Sequence, residues 1–108
     1  MVTYKRDRYV VFRIISELEE LEEIDVKNSI WQTYQTLFGL YGSAGSGLYF
    51  EDYSKIEKTG IFRCSHTSLP QLLTVLAFIS KIKKNTLLFQ VLNVSGTINK
   101  AKKILNTK

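Results

Sequence analysis

The run Tyr9-Val10-Val11-Phe12-Arg13-Ile14-Ile15 is dense in β-branched and aromatic residues and predicts a mostly buried strand. Apolar positions then thin out. Between residues 17 and 25 only Leu18, Leu21 and Ile24 remain, three apart, a spacing that allows a short helix or turn with one apolar edge. Asp25 has the short acceptor side chain of a helix N-cap. The helix it opens would carry Val26, Ile30, Tyr34, Leu37 and Tyr41 as a stripe, flanked by Trp31 and Phe38. Gly39 and Gly42 mark its end, ahead of the flexible loop Gly42-Ser43-Ala44-Gly45-Ser46-Gly47.

Two alternating runs follow, Leu48-Tyr49-Phe50-Glu51-Asp52-Tyr53 and Thr59-Gly60-Ile61-Phe62-Arg63-Cys64, with residues 54–57 as a hairpin connection. A second helix starts at Ser68, with Pro70 in its first turn where a missing N–H costs little. Its stripe is Leu69, Leu72, Leu73, Leu76 and Ile79/Ser80. Residues 87–94 predict a fourth strand and residues 97–105 a short helix. The order β-α-β-β-α-β plus a terminal helix predicts an α+β fold of split βαβ type, ferredoxin-like and RRM-like in topology. It implies a four-stranded antiparallel sheet with helices on one face and an extra C-terminal helix. At 108 residues, 44% hydrophobic and 23% charged, the chain reads as a single globular domain over residues 1–108.

Alternation assigns Val10, Phe12, Ile14, Leu48, Phe50, Phe62 and Cys64 to the helix side of that sheet. The open face would then show Val11, Arg13, Ile15, Tyr49, Glu51, Tyr53, Ile61 and Arg63, with Leu88, Gln90 and Leu92. Such a face is too apolar to stand in water. It must meet a partner or lie under the chain's own terminal helix, and its size favours the partner.

Charge changes the picture more than composition does. The net charge is +5, which makes a polyanion a plausible partner, but the placement is uneven. Lys5, Arg6, Arg8 and Arg13 face only Asp7 near the start; Glu17, Glu19, Glu20, Glu22, Glu23 and Asp25 follow with no basic residue among them. From Lys81 onward every charge is basic: Lys81, Lys83, Lys84, Lys100, Lys102, Lys103 and Lys108. The basic ends flank the first and fourth strands and can merge into one phosphate-binding patch, or stand as ordinary solvated lysines. The turn Val94-Ser95-Gly96-Thr97-Ile98 adds hydroxyls and close backbone approach at a helix start, suited to an anion or to plain capping.

Other chemistry finds little to work with. One Cys and one His cannot make a disulfide or a four-ligand zinc site in a single chain. Cys64 reads as inward-facing core and His66 as a turn residue, so a Cys/His nucleophile is not expected. The acidic run reads as a solvated face or a surface for a basic partner rather than a metal site. Base stacking on the sheet is disfavoured too: the third strand lacks the required aromatics, and Tyr9 and Phe12 lie on opposite faces of the first. No run approaches the ~20 apolar residues of a membrane span. Nor does the start resemble a signal peptide, since Arg13 interrupts the brief apolar stretch, so a soluble cytoplasmic protein is expected.

Several segments, in order, resemble the ribonuclease P protein component 2 family, the archaeal counterpart of a eukaryotic ribonuclease P and MRP subunit. They are Arg8-Tyr9-Val10-Val11-Phe12 with Ile15-Ser16-Glu17, then Ile30-Trp31 with Tyr34 and Leu37-Phe38-Gly39. Gly47-Leu48, Gly60-Ile61-Phe62-Arg63-Cys64-Ser65 and Val94-Ser95-Gly96-Thr97-Ile98 complete the set, which spans about residues 8 to 104. The resemblance implies a non-catalytic protein subunit that supports a catalytic RNA in removing the 5′ leader from precursor tRNA. No cofactor would be bound by this chain, with Mg²⁺ held at the RNA active site of the holoenzyme. The implied partners are ribonuclease P RNA, ribonuclease P protein component 3 and the other ribonuclease P proteins, with precursor tRNA as the holoenzyme's substrate and no membrane. Candidate RNA contacts are Lys5, Arg6, Arg8, Ser95, Gly96, Thr97, Lys100 and Lys103; candidate protein contacts are Val11, Arg13, Leu18, Leu21, Tyr49, Tyr53, Ile61 and Leu92. The alternatives are a stand-alone RNA-binding module and a ferredoxin-like domain that binds a small ligand at residues 42–47 and 95–97.

Overall fold

A computed structural model describes residues 6–44 and 47–106, with side chains at all of these but 41–44. The elements are β1 (Asp7–Ser16), α1 (Glu23–Ala44), β2 (Tyr49–Ser54), β3 (Thr59–Ser65), α2 (Leu69–Phe78), β4 (Lys81–Ile82), β5 (Asn85–Ser95) and α3 (Ile98–Asn106). The strands pair antiparallel in the order β2-β3-β1-β5-β4. The sheet thus has five strands where four are expected. The addition is β4, whose two residues turn through Lys83 and Lys84 into β5.

The buried faces follow the alternation of the strands. Val10, Phe12, Ile14, Phe62 and Cys64 join Val26, Ile30 and Tyr34 of α1 and Leu72, Val75 and Leu76 of α2 in one core. Phe12 stacks on Phe62 at 4.6 Å between ring centroids, and Phe50 meets Phe62 at 4.2 Å. Each of these aromatic pairs contributes about 0.5–1.5 kcal/mol beyond its area. The Tyr34 hydroxyl donates to Gln71 Oε1 at 2.7 Å, which joins α1 to α2.

Several expectations need correction. Asp25 does not cap α1, because the Val26 N–H already bonds the Glu22 carbonyl and the helix starts at Glu23. Of the three-apart apolar edge, Leu21 is buried and Leu18 packs on the core, but Ile24 is exposed. Gly39, at φ 77° and ψ 171°, does break α1, yet one more helical stretch runs on to Ala44. Within the expected loop at 42–47, residues 45 and 46 lie outside the described residues.

The open face is corrected in two ways. First, α3 lies across it: Val11 and Ile61 are buried together with Ala101, while Tyr9, Leu92, Ile98, Ile104 and Leu105 pack around them. The terminal helix therefore covers one end, as in the less favoured of the two expectations. Second, β2 shifts register between Phe50 and Asp52, so Tyr53 stands opposite Gly60 rather than Thr59. A bulge reverses the alternation beyond it, and Tyr53 turns into the helix-side core, its hydroxyl donating to the Leu21 carbonyl at 2.7 Å.

Candidate nucleic-acid interface

β1 begins beside the point where β5 ends, because the two strands run antiparallel with Tyr9 opposite Ser95. That register brings the two sequence-distant segments together. Arg6, Asp7, Arg8 and Tyr9 line one side of an open concavity of about 800 Å³; Val94, Ser95, Gly96, Thr97 and Ile98 line the other. Of the expected RNA contacts, Arg6, Arg8, Ser95, Gly96 and Thr97 are therefore neighbours. Lys5 lies outside the described residues. Lys100 and Lys103 are exposed on α3, three residues apart and so on one side of it, though they do not line the concavity.

The roles within the set differ. Thr97 is the cap of α3: its Oγ1 accepts the Lys100 N–H at 3.3 Å, and its carbonyl accepts the Ala101 N–H. The Ser95 hydroxyl is buried and donates to Asn93 Oδ1 at 3.1 Å. Both hydroxyls thus have internal partners, and the groups turned outward are the arginines and the backbone at Gly96. A methyl group at Gly96 would lie 3.9 Å from Arg8 Nη1, in ordinary contact with that guanidinium. Arg8 Nη1 also donates to the Asp7 carbonyl at 3.0 Å. A guanidinium beside open backbone N–H groups at a helix start suits a phosphate oxygen.

His66 holds this edge in place, a role that sequence reasoning missed. Its N–H donates to the Arg6 carbonyl at 2.7 Å, and its ring Nδ1 accepts the Arg6 N–H at 3.1 Å. The pair extends the β1–β3 ladder by one residue and fixes where Arg6 leaves the sheet. Cys64 beside it is fully buried, and burial pushes its thiol up to about 11, with Asp7 adding to the rise and Arg8 opposing it. It is a neutral core group. Among the described residues no cluster of His, Cys, Asp and Glu could hold a metal ion, and no helix is long and apolar enough to cross a membrane.

The expected protein contacts separate. Val11 and Ile61 lie beneath α3, Leu21 is buried, and Tyr53, Leu18 and Leu92 pack against one core or the other. Arg13 and Tyr49 remain outside those cores at opposite ends of the face: Arg13 at the end that α3 leaves open, and Tyr49 on the outer strand β2, level with Arg63 and Tyr9. Arg13 Nη2 donates to Gln90 Oε1 at 2.6 Å, and Arg63 lies 4.9 Å over the Tyr49 ring while pairing with Glu51 at 3.6 Å. Ile15 and Leu88 are exposed on the same face.

Comparison with known proteins places this geometry. Residues 8–106 match the Rpp14/Pop5 family. Proteins called ribonuclease P protein component 2 are similar along most of their length. That of Pyrococcus abyssi is 34% identical over 91% of this chain and 82% of its own, and that of Methanocaldococcus jannaschii 33% identical over 91% and 71%. A chain in the cryo-EM structure of yeast ribonuclease MRP shares the fold at a TM-score of 0.68 and 11% identity, over 99% of this chain and 91% of that one.

Proposed function

The chain belongs to the Rpp14/Pop5 family, and on that premise we propose that it is a non-catalytic protein subunit of ribonuclease P, which supports the catalytic RNA in removing the 5′ leader from precursor tRNA. The observation that carries this reading is the likeness to archaeal component 2 proteins over nine-tenths of the chain. We read its main strands, β2-β3-β1-β5, as a ferredoxin-like split βαβ sheet with β4 added at the edge.

In this reading Arg6 and Arg8 contact RNA phosphates, Gly96 lets the backbone approach, and Lys100 and Lys103 extend the contact along α3; Ser95 and Thr97 belong to the same edge, and Lys5 is a further RNA contact. Ribonuclease P protein component 3 and the other protein subunits are the partners of the part of the sheet face that α3 leaves uncovered, from Arg13 at one end to Tyr49 on the outer strand. Mg²⁺ serves the holoenzyme at its RNA active site, and the assembly works in the cytoplasm. The subunit acts by screening phosphates, so its effect is largest when Mg²⁺ is scarce.

The test is reconstitution of leader cleavage with and without this chain at limiting Mg²⁺. A clear gain in cleavage rate is expected, and equal rates would overturn the reading. Arg8→Ala with Lys100→Ala and Lys103→Ala should flatten the salt dependence of RNA binding by up to about one unit of slope for each phosphate no longer neutralised. An unchanged slope would move the RNA-binding edge elsewhere.

A further inference from the structure

The β4–β5 hairpin turns through Lys83 and Lys84, with φ of 50° and 69°. Both central positions are left-handed, the pattern of a tight turn that ordinarily takes Asn-Gly or Gly-Gly. Lysine there carries a conformational cost, and such strain persists where the surroundings impose it or function uses it. A third lysine at positive φ shows what an internal reason looks like. Lys58, at φ 56°, donates its ammonium to the Ser16 and Leu18 carbonyls and to Ser16 Oγ at 2.6–3.0 Å. Lys84 has no such partner among the described residues. Lys83 has one, Asp25 at 3.0 Å, while its own side chain stays 71% exposed.

Beside this turn the surface changes from apolar to polar. Asn28, Ser29 and Gln32 of α1 face Lys81 and Lys83 across a concavity of about 340 Å³, with Asp25 at its edge and Ile82 beneath. Amide and hydroxyl groups interleaved with ammonium groups match a sugar–phosphate strand, which offers hydroxyls and anionic oxygens in alternation. Glu17 lies on the other flank of the turn, in the groove that Lys84 shares with Ile15 and Leu88. Lys84 thus stands near Glu17 on that flank, while Lys81 and Lys83 face α1, Lys83 beside Asp25.

We propose that this hairpin and the α1 surface beside it form a second RNA-backbone contact, separate from the edge at Arg8 and Gly96. The inference rests on the reading of the chain as a ribonuclease P subunit. The two contacts stand at opposite ends of β5, whose 11 residues place them roughly 30 Å apart. One rigid chain so equipped bridges two separate stretches of the folded RNA and fixes their distance.

The test replaces the strained pair by the turn's own favourite residues, Lys83→Asn with Lys84→Gly, which removes two charges while easing the backbone. Lys55→Asp, at the β2–β3 turn, lowers the net charge by the same two units and is the control. Binding to ribonuclease P RNA is read as a function of salt, and hydroxyl-radical footprinting maps the protected nucleotides. The double variant should bind with a salt slope lower by about 1.5–2 and lose protection at one stretch, while the stretch guarded by Arg8 stays protected. A slope and footprint equal to those of Lys55→Asp would overturn the second contact and leave the subunit reading standing. Loss of assembly with the protein subunits but not of RNA protection would overturn it in favour of an acidic protein segment. Absence of RNA binding by the unaltered chain would overturn both readings.

Discussion

Gly60 has no room for a side chain. A Cβ there would lie 2.5 Å from the Asp52 carbonyl oxygen and 2.9 Å from Phe12 Cζ, one of them backbone and the other the centre of the core. The bulge in β2 pushes Asp52 toward its neighbour strand at this place, so bulge and glycine require each other. Gly60→Ala should cost ~1–3 kcal/mol, read as a lower urea midpoint at unchanged m-value. An unaltered midpoint would show that the bulge relaxes freely. A glycine inside a strand is a legible hint of close approach, but the sequence does not say on which strand the extra residue sits. For that reason Tyr53 reads as outward while its neighbours read correctly. Its inward position has a consequence in alkali. Burial pushes the Tyr53 hydroxyl up from 10.0 to about 12, with Glu22 and Glu23 adding to the rise. The folded state then holds a proton that the unfolded chain releases. This contribution to stability is fully present below pH ~10 and is lost as pH rises toward ~12. Tyr53→Phe should lower stability near neutrality by ~1 kcal/mol through the missing bond to Leu21. Its difference from the unaltered protein should shrink between those pH values. A constant difference in pH-dependent urea melts would contradict the burial argument.

Element by element, legibility follows length and period. β1, β2, β3 and the core stripes of α1 and α2 are long enough for alternation or helical spacing to emerge; apart from Tyr53, and from Val75 of α2, which is fully buried though outside the expected stripe, the inward side chains among the described residues are the expected ones, Tyr41 lying outside them. β4 has two residues and a turn without Asn or Gly, so no periodic or turn signal announces it. α3 is legible as a helix but not as a cover. Its inward residues Ile98, Ala101, Ile104 and Leu105 recur at helical spacing, against Lys100, Lys102 and Lys103 outside. With 9 residues it spans about 13 Å, less than half the length of β1 or β5. It therefore shelters the end of the face at Val11 and Ile61 and leaves Ile15 and Leu88 in the open. Partner and terminal helix look like alternatives in the sequence, yet the chain uses the helix for one end of the face only. Ala101 is where the helix seats, fully buried against Val11 and Ile61. Ala101→Asp should bury an unpaired charge or detach the helix, at a cost of ~3 kcal/mol. Detachment should expose apolar surface that binds the dye ANS, whereas Lys102→Asp on the outer side should not. Equal dye binding by the two variants would mean that α3 is held by something other than this seat.

For the whole molecule the decisive quantity is where charge lies relative to the fold. The candidate RNA site is legible in the sequence as two basic ends but not as one site, because only the pairing of Tyr9 with Ser95 brings them together. The same fold separates the acidic run from that edge: β1 carries the chain from Arg8 to Ser16, and the carboxylates follow at the far end. Glu17, Glu19 and Glu20 are exposed, and no ion pair is formed by them among the described residues. Unpaired surface carboxylates contribute little to stability, but they shape the field a polyanion meets on approach. With them the net charge is +5, and without them the chain would attract RNA from every side; with them, the flank of that end toward the β2–β3 turn, where the Leu21 N–H bonds the Lys55 carbonyl, repels phosphate while the hairpin flank at Lys81 and Lys83 stays open to it, so the molecule docks in a preferred orientation. Glu17→Gln, Glu19→Gln and Glu20→Gln together should therefore tighten binding to an unrelated single strand such as polyuridylate at low salt. The gain should disappear as salt rises and the Debye length falls below ~10 Å. Reconstituted leader cleavage should not improve, since added attraction on the acidic flank gives no productive docking. If the triple variant binds polyuridylate no better at low salt, the acidic run does not orient the subunit. A parallel rise in cleavage would instead mean that this flank already lies against RNA.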